Sequence, residues 1–196
     1  VYGKQPHDLT HVGEDYIGAP DPLQPGSAYG EGKRVAEHMC ATHAKQAGYE
    51  SKIARCFGFV GPHLPLDTHF AIGNFIHDAK CGGPIRINGD GTPMRSFLYA
   101  SDLAVWLWTL LFCAPSAVAY NVGSSHDLSI SELASVVKEQ LSPSSPILTA
   151  HQPNHDVPIL RYVPCTKRAA KEFNLIERVD LERSLQKTLD WLTLQR

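Results

Sequence analysis

Short apolar segments that alternate with longer helical segments constrain the fold of this chain most. Residues 52–60, 85–88 and 120–123 are short and largely apolar, with glycine or proline nearby, which is typical of buried strands. Before, between and after them the sequence predicts helices over residues 27–46, 69–80, 101–112, 129–141, 166–173 and 180–193. This alternation predicts an α/β fold. With 196 residues, the chain can form one substantial domain or two small lobes.

The segments around these helices predict caps, connections and part of the core. Residues that commonly cap helices begin three of the helical segments: Ser27, either Ser101 or Asp102, and Asp180. The proline-rich residues 4–26 and 142–158 are predicted to be connections without regular structure. Trp106 and Trp108, which lie among leucines, are predicted to belong to the core rather than to a stacking platform for a ligand.

Composition excludes several classes of function. Eighteen Lys and Arg residues against 20 Asp and Glu residues give a formal charge of -2, and no basic run suggests nucleic-acid binding. The most apolar stretch, residues 103–113, has about half the length needed to span a bilayer. The five cysteines are widely spaced and contain no Cys-x-x-Cys, which favours reduced thiols. We therefore expect a cytoplasmic protein that binds neither nucleic acid nor a membrane.

The first residues indicate that more chain precedes them in the whole protein. The sequence opens on Val1-Tyr2-Gly3, without Met and without a signal-peptide pattern. These residues have the character of the end of a strand. We therefore expect this chain to be a fragment.

Tyr29 and Lys33 are the residues with the clearest chemistry. They are four residues apart on a predicted helix, so they share one face. A free phenol, with a pKa of about 10, is a poor base at neutral pH, and a neighbouring ammonium group favours the phenolate. Such a tyrosine can exchange a proton with an alcohol while hydride moves to or from a nicotinamide. The spacing alone is more typical of a solvated helix without a catalytic role.

Histidine and glycine patterns elsewhere carry weaker signals. His7 and His11, and likewise His151 and His155, are four residues apart, but no predicted helix or nearby thiolate supports a metal site. The Gly-x-Gly pairs at residues 30–32 and 89–91 lack the third glycine and the strand-to-helix setting of a dinucleotide-binding turn. We therefore expect no metal.

The order of motifs along nearly the whole chain resembles that of the extended short-chain dehydrogenases that act on nucleotide sugars. Val1-Tyr2-Gly3 and Ser27-Ala28-Tyr29-Gly30-Glu31-Gly32-Lys33 resemble the V-Y-G and S-x-Y-x-x-x-K motifs of that family. The segments that follow in the same order are Arg55 to Pro62, Gly73 to Ile76, Gly89 to Asp102, Tyr120 to Gly123, and Arg161-Tyr162. Together they resemble the NAD-dependent epimerases, dehydratases and decarboxylases of this family.

The resemblance implies a role for each matching residue. Tyr29 would be the catalytic acid and base, and Lys33 would support it while holding the nicotinamide ribose of NAD. Arg95 would bind the substrate diphosphate, for which a planar guanidinium is suited, although an ordinary surface ion pair is the alternative. Asn74 would donate to the same diphosphate, and Arg161 would contact the phosphates or the ribose and base. Asn121 is a weaker candidate near the nucleotide.

The resemblance also implies an architecture. Residues 1–60 and 96–123 would form part of a Rossmann-like doubly wound sheet, and residues 61–95 and 124–196 a smaller α/β substrate-binding lobe. The Gly-rich dinucleotide-binding half and the catalytic Ser or Thr of the family would lie outside this chain. The family commonly dimerises through the Tyr/Lys helix and the helix before it, so a homodimer is possible.

The expected function is that of an NAD-dependent epimerase or dehydratase acting on a nucleotide-diphosphate sugar through a keto-sugar intermediate. Two alternatives remain open: a non-catalytic fragment that binds a nucleotide diphosphate, and a reductase of a small carbonyl compound. Two positions depart from the family pattern. Gly58 stands where the family often has Asn, and Asn88 stands where it often has an aromatic residue.

Overall fold

The computed structural model describes residues 1–68, 70–154 and 156–194 and has the predicted α/β architecture. Its strands are β1 (Ile53–Cys56), β2 (Phe59–Val60), β3 (Ile85–Ile87), β4 (Met94–Arg95), β5 (Leu98–Tyr99), β6 (Ala119–Val122), β7 (Leu128–Ser129) and β8 (Ile147–Thr149). Its helices are α1 (Ala28–Ala47), α2 (Ala71–Lys80), α3 (Ala100–Cys113), α4 (Ile130–Leu141), α5 (Lys167–Phe173) and α6 (Leu181–Leu194), and a 3-10 turn (Pro25–Ser27) precedes α1.

The strands associate in pairs, most of them parallel. β1 pairs with β6, β2 with β5, and β3 with β8 in parallel, whereas β4 and β7 are antiparallel. The register of the first pair sets Arg55 beside Asn121 and Cys56 beside Val122. The carboxyl ends of β1 and β6 therefore meet at one edge, which is where open α/β sheets bind ligands.

Two hydrophobic clusters follow the strand pairs. One joins α2, α4 and α6 around β3 through buried residues such as Phe75, Leu133 and Leu185. The other joins α3 and α5 to β6 through residues such as Trp106 and Tyr120. Each strand pair lies within one of the two predicted lobes. However, α5 was assigned to the substrate-binding lobe and packs with β6 of the Rossmann-like part. The division of the chain into these two lobes therefore remains a prediction.

Some predicted elements have different limits in the structure. The apolar run over residues 52–60 forms two strands instead of one, because β1 pairs with β6 and β2 with β5. Gly58, in the break between them, lies against Ser96, whose carbonyl oxygen would be 2.4 Å from a Cβ at this position. The connection over residues 142–158 contains β8, and residues 1–3 form no strand. The predicted start of α2, His69, lies outside the described residues.

The predicted caps were partly correct. Asp180 accepts a hydrogen bond from the backbone N–H of Arg183 at 2.8 Å, as an N-cap does. Ser27 occupies the N-cap of α1 but makes no capping bond. The prediction that Ser101 or Asp102 caps α3 was wrong, since the helix already begins at Ala100. Buried Asp102 instead accepts hydrogen bonds from the backbone at residues 178 and 179.

The prediction for the two tryptophans of α3 was half correct. Trp106 is buried in the core, but Trp108 is 61% exposed and stacks on exposed Phe112, with ring centroids 5.6 Å apart. Val105, Leu107 and Leu111 of this helix are also exposed, whereas Trp106 and Leu110 are buried. The outer face of α3 is therefore apolar and exposed.

Candidate active site

One face of α1 carries the predicted catalytic residues. Tyr29, Lys33 and Glu37 follow each other at intervals of four residues and therefore lie on the same side of the helix. The Lys33 ammonium is 5.4 Å from the centroid of the Tyr29 ring. Tyr29 is 77% exposed, so its phenol is accessible to a ligand. The structure thus brings Tyr29 and Lys33 together as the motif predicts.

An ion pair connects this helix to the sheet. Arg55 on β1 donates from Nε and Nη2 to the two oxygens of Glu37, at 2.7 Å each. Its Nη1 also donates to the Tyr2 hydroxyl at 2.8 Å and to the backbone oxygen of Glu14 at 3.2 Å. Bidentate pairs of this kind fix geometry as well as contributing energy. The pair therefore sets the position of α1 relative to the carboxyl end of β1.

The same network continues to Asn121. The Tyr2 hydroxyl donates to Asn121 Oδ1 at 2.7 Å, and the Asn121 amide donates to the backbone oxygens of Val12 and Cys165. Burial is the main cause that raises the pKa of Tyr2, so this phenol stays a donor. Asn121 is fully buried, and these bonds occupy its side chain. A direct contact between Asn121 and a nucleotide remains a prediction.

A cleft of about 350 Å³ opens between α1 and β1. Its wall includes catalytic candidates from α1, residues of β1 and an aromatic residue from late in the chain: Tyr29, Lys33, Cys40, Arg55, Cys56 and Tyr162. Because it lies beside the carboxyl end of a parallel strand pair, it has the location expected of a ligand site.

Cys56 and Tyr162 line this cleft but were not among the predicted site residues. Desolvation by the surrounding protein raises the pKa of the Cys56 thiol, and the charge of Lys33 acts in the opposite direction. The Tyr162 ring stacks on Phe57, with centroids 4.5 Å apart. Tyr162 lies in an irregular segment, where no periodic pattern marks which side chains face a site. For Cys56 the signal was its position at the end of a strand.

Arg95, at the end of β4, is half-buried and is not paired with a carboxylate in the described part of the chain. Its Nη1 donates to the backbone oxygen of Met94 at 2.8 Å. Burial lowers the pKa of Arg95, and the nearby Tyr162 acts in the opposite direction. Because a desolvated cation without an anion is costly, this guanidinium is suited to an anionic ligand.

The other two predicted residues lie in different surroundings. Arg161 donates to Asp127 at 2.8 Å, and its backbone bridges to Met94 beside Arg95. Asn74 on α2 lines a separate hollow of about 220 Å³, together with Asn88 and Gly89. The structure therefore places Arg161 next to Arg95 along the backbone, and Asn74 in a second hollow. Their contacts with a substrate remain predictions.

No group of three or more His, Cys, Asp or Glu side chains among residues 1–68, 70–154 and 156–194 could hold a metal ion. The second of the two histidine pairs includes His155, which lies outside the described residues. Within the same ranges, no helix combines the length and the apolar character needed to cross a membrane.

An α/β fold with parallel strand pairs and a Tyr/Lys helix beside their carboxyl ends is that of a Rossmann-like protein. The family model for the NAD-dependent epimerase/dehydratase family matches residues 1–123. The chain therefore belongs to that family, as the order of motifs indicated.

Several relatives extend the comparison. The chain is 32% identical over 193 residues to UDP-glucuronic acid decarboxylase 1 of Danio rerio, a match that covers 98% of this chain and 45% of that protein. Its structure is similar to that of UDP-glucose 4-epimerase from Thermotoga maritima with UDP-glucose, at a TM-score of 0.85 and 19% identity, covering 99% of this chain and 60% of that one.

A third similarity is to the dTDP-glucose 4,6-dehydratase of Bacillus anthracis in complex with NAD. The TM-score is 0.81 at 21% identity, and the match covers 100% of this chain and 59% of that one. At these identities the structural matches show the fold alone. The chain thus spans about half the length of the relative that it matches in sequence and about 60% of these two structures.

Proposed function

We propose that the whole protein is an NAD-dependent enzyme that acts on a nucleotide-diphosphate sugar, and that this chain supplies its proton-transfer residues and its diphosphate-binding arginine. Family membership supports the cofactor and the class of reaction. The proteins that this chain resembles include a decarboxylase, an epimerase and a dehydratase, so we assign no particular step after oxidation of the sugar.

The residues around the cleft fit the nicotinamide end of NAD. A phenol and an ammonium group face one opening at the end of β1, which suits a ribose hydroxyl and a reacting sugar hydroxyl. When bound, NAD supplies the acceptor and donor of hydride. Tyr29 takes the proton of the sugar hydroxyl and later returns it, and the charge of Lys33 favours the negative phenol oxygen during this exchange.

The observation that carries the proposal is Arg95, which is half-buried and lacks a carboxylate partner within the described ranges. A diphosphate provides the oxygens that a guanidinium binds in pairs. Tyr162 lines the cleft beside Tyr29, and its backbone N–H donates at 3.2 Å to the carbonyl oxygen of Met94, the neighbour of Arg95, so the same residue lies between the two sites. A sugar attached to a diphosphate would extend from one to the other.

Binding of UDP and dTDP, measured by calorimetry, tests this role of Arg95. Arg95→Ala should weaken binding by about 2 kcal/mol or more, the loss expected for a charge-assisted contact. Arg183→Ala is the matched control, because Arg183 is exposed on α6 and lines neither the cleft nor the hollow with Asn74. Equal dissociation constants for wild type and Arg95→Ala would refute the role. If neither nucleotide binds the wild-type chain, the proposed substrate class is wrong.

The position of the ligand can be tested without turnover through Cys56. This thiol lines the cleft with Tyr29 and Lys33, so bound UDP-glucose or UDP-glucuronic acid should slow its alkylation. Cys81 and Cys113 are exposed outside the residues of that cleft and serve as internal references. Cys40→Ser removes the other thiol of the cleft. Protection of all thiols alike would contradict a ligand held at this site.

Two further properties are also proposals. The exposed apolar residues Val35 and Met39 on α1 support a homodimer through this helix. The free state of all five cysteines supports a reducing, cytoplasmic setting.

A further inference from the structure

The two arginines beside β4 have different partners. Arg161 Nη1 donates to Asp127 Oδ2 at 2.8 Å, and these two side chains are only 22% and 25% exposed. Arg95, in contrast, has no carboxylate partner within the described part of the chain. Because the charge of Arg161 is already neutralised by a carboxylate, Arg95 is the guanidinium of the two that is suited to an anionic ligand.

Strand geometry places the side chains of Arg161 and Arg95 on opposite faces. Arg95 follows Met94 in β4, and Arg161 bridges to Met94 in parallel on one side of this strand. Side chains of paired residues point to the same face, whereas those of consecutive residues point to opposite faces. Arg161 therefore shares a face with Met94, and Arg95 points to the other face.

Asp127 reaches Arg161 from the other side of β4. The antiparallel pairing of β4 with β7 sets Arg95 opposite Leu128, and continuing this register by one residue sets Asp127 opposite Ser96. Ser96 alternates with Arg95 and therefore lies on the face of Arg161. The Arg161–Asp127 ion pair thus crosses β4 on the face that Arg95 does not use, and it joins the segments on the two sides of this strand.

The position of β4 depends on its contacts with these two segments. Both β4 and β7 contain only two residues. On the side of residues 160–162, Met94 donates to the backbone oxygen of Leu160 at 2.8 Å and accepts from the N–H of Tyr162 at 3.2 Å. Such short ladders are marginal alone, and cross-strand pairs of opposite charge stabilise them. The ion pair adds a link between the two outer segments that the main-chain bonds do not provide.

We propose that Arg161 and Asp127 are positioning residues, whose ion pair clamps β4 between its two neighbours and so holds Arg95 toward an anionic ligand. This inference rests on the proposed function, because it requires that Arg95 binds the diphosphate. It gives Arg161 a role other than the direct contact with phosphate that the order of motifs implied. The two roles differ in what they predict for Asp127. Loss of a clamp weakens diphosphate binding, whereas loss of a competing carboxylate would free Arg161 and strengthen it.

Calorimetry with UDP and dTDP tests the clamp. Asp127→Asn and Arg161→Met should each weaken binding of the better-bound diphosphate about three- to tenfold, a part of the loss expected when a charge-assisted contact is removed altogether. The double variant should be no weaker than either single variant, because all three lack the same ion pair. Arg168→Met is the matched control, since Arg168 is 24% exposed and pairs with Asp15 at 2.6 Å away from β4. This control should change the affinity by less than about twofold.

Two rescue variants separate positioning from a general loss of stability. Arg161 contacts Asp127 through one nitrogen, so Arg161→Lys can keep the ion pair and should bind the diphosphate within about twofold of wild type. A phosphate contact through the planar guanidinium would not survive this change. Exchange of the two charges, Asp127→Arg with Arg161→Asp, should recover most of the affinity that either single substitution loses. Urea unfolding of each variant, measured alongside, shows which of them are folded under the binding conditions.

The outcomes distinguish this inference from the proposed function. Tighter diphosphate binding in Asp127→Asn, or a loss in Arg161→Met that neither rescue variant recovers, would overturn the clamp. Unchanged affinities in both single variants would also overturn it and leave the role of Arg95 intact. If the wild-type chain bound neither diphosphate, or if Arg95→Ala bound as tightly as wild type, the proposed function would fail and this inference with it. Arg161→Lys and the exchanged pair keep the test decisive if a single substitution prevents folding.

Discussion

Removal of the Arg55 guanidinium should release α1 from the sheet. The Arg55 and Glu37 side chains are only 16% and 19% exposed, so solvent screens their interaction weakly. Arg55→Met would remove the two bonds to Glu37 and leave its carboxylate without that partner in a largely buried position. Breaking a buried pair by removing one partner costs about 3–5 kcal/mol. Two charge-assisted hydrogen bonds of about 1.5–3 kcal/mol each give a similar figure.

The loss should be local as well as global, because α1 has little other packing. Ala44 is the only buried residue that α1 contributes within the described chain. Urea unfolding should give a lower midpoint for Arg55→Met with a nearly unchanged m-value. Amide hydrogen exchange should show that α1 loses protection before β1 and β6 do. Tyr29 and Lys33 would lose their fixed position at the cleft in the same step.

A surface ion pair provides the matched control for this prediction. Lys52 contacts Glu50 at 2.7 Å, but the Glu50 side chain is 74% exposed. Glu50→Gln should therefore cost no more than about 1 kcal/mol. A similar loss of stability in Arg55→Met and Glu50→Gln, or unchanged protection of α1 in Arg55→Met, would refute the claim that the Arg55–Glu37 pair holds this helix.

Four further substitutions test other parts of the structure by urea unfolding. Gly58→Ala should destabilise the fold by about 1–3 kcal/mol, because the new Cβ would lie 2.4 Å from the Ser96 carbonyl oxygen. Gly32→Ala is the control on an open helix face and should stabilise the fold by about 0.5–1 kcal/mol. Equal effects of the two substitutions would contradict the close approach at Gly58. Burial and, next, the hydrogen bond to Glu172 raise the pKa of Tyr120 from 10.0 to about 12. Because the folded state binds this proton more tightly than the unfolded state, the free energy of unfolding should fall as the pH rises from 10 to 12. Tyr120→Phe should flatten this decline, and an unchanged slope would exclude Tyr120 as a cause. Ser129→Ala should cost about 1 kcal/mol, because it removes the capping box at the start of α4, and a loss near zero would contradict that contribution.

Helices with a clear periodicity of apolar residues were predictable from the sequence, whereas the pairing of very short strands was not. The helices of 10 residues or more were found within a few residues of their limits, because apolar spacing and end signals agree along them. β4, β5 and β7 have two residues each, too few to show a period, and form through pairing with distant strands. The role of Asp102 was missed for a similar reason, since its hydrogen-bond donors lie 76 and 77 residues further along the chain.

The residues of the candidate site also divide into those that a local sequence pattern could place and those that it could not. The shared face of Tyr29 and Lys33 was predictable because helix periodicity alone puts them together, and Glu37 lies on the same face. Their proposed role came from the order of motifs. Tyr162 belongs to an irregular segment whose position depends on backbone pairing with Val12 and β4, neither of which a local pattern reveals. The proposed diphosphate role of Arg95 came from the order of motifs, and the lack of a carboxylate partner for Arg95 among the described residues became visible only in the structure.

The segments that carry the candidate site residues are held by different kinds of contact, and this difference has a consequence for catalysis. Arg95 and Tyr162 are carried by backbone segments that pair with each other, so their separation is fixed by main-chain hydrogen bonds. Tyr29 and Lys33 are carried by a helix held through side chains, namely the Arg55–Glu37 pair and Arg34, which donates to the backbone oxygens at residues 1, 17 and 18. Disturbing this side-chain network should therefore impair proton transfer while leaving diphosphate and sugar binding largely intact. The anchor of the substrate and the position of the reacting phenol would then be independent properties of this fold.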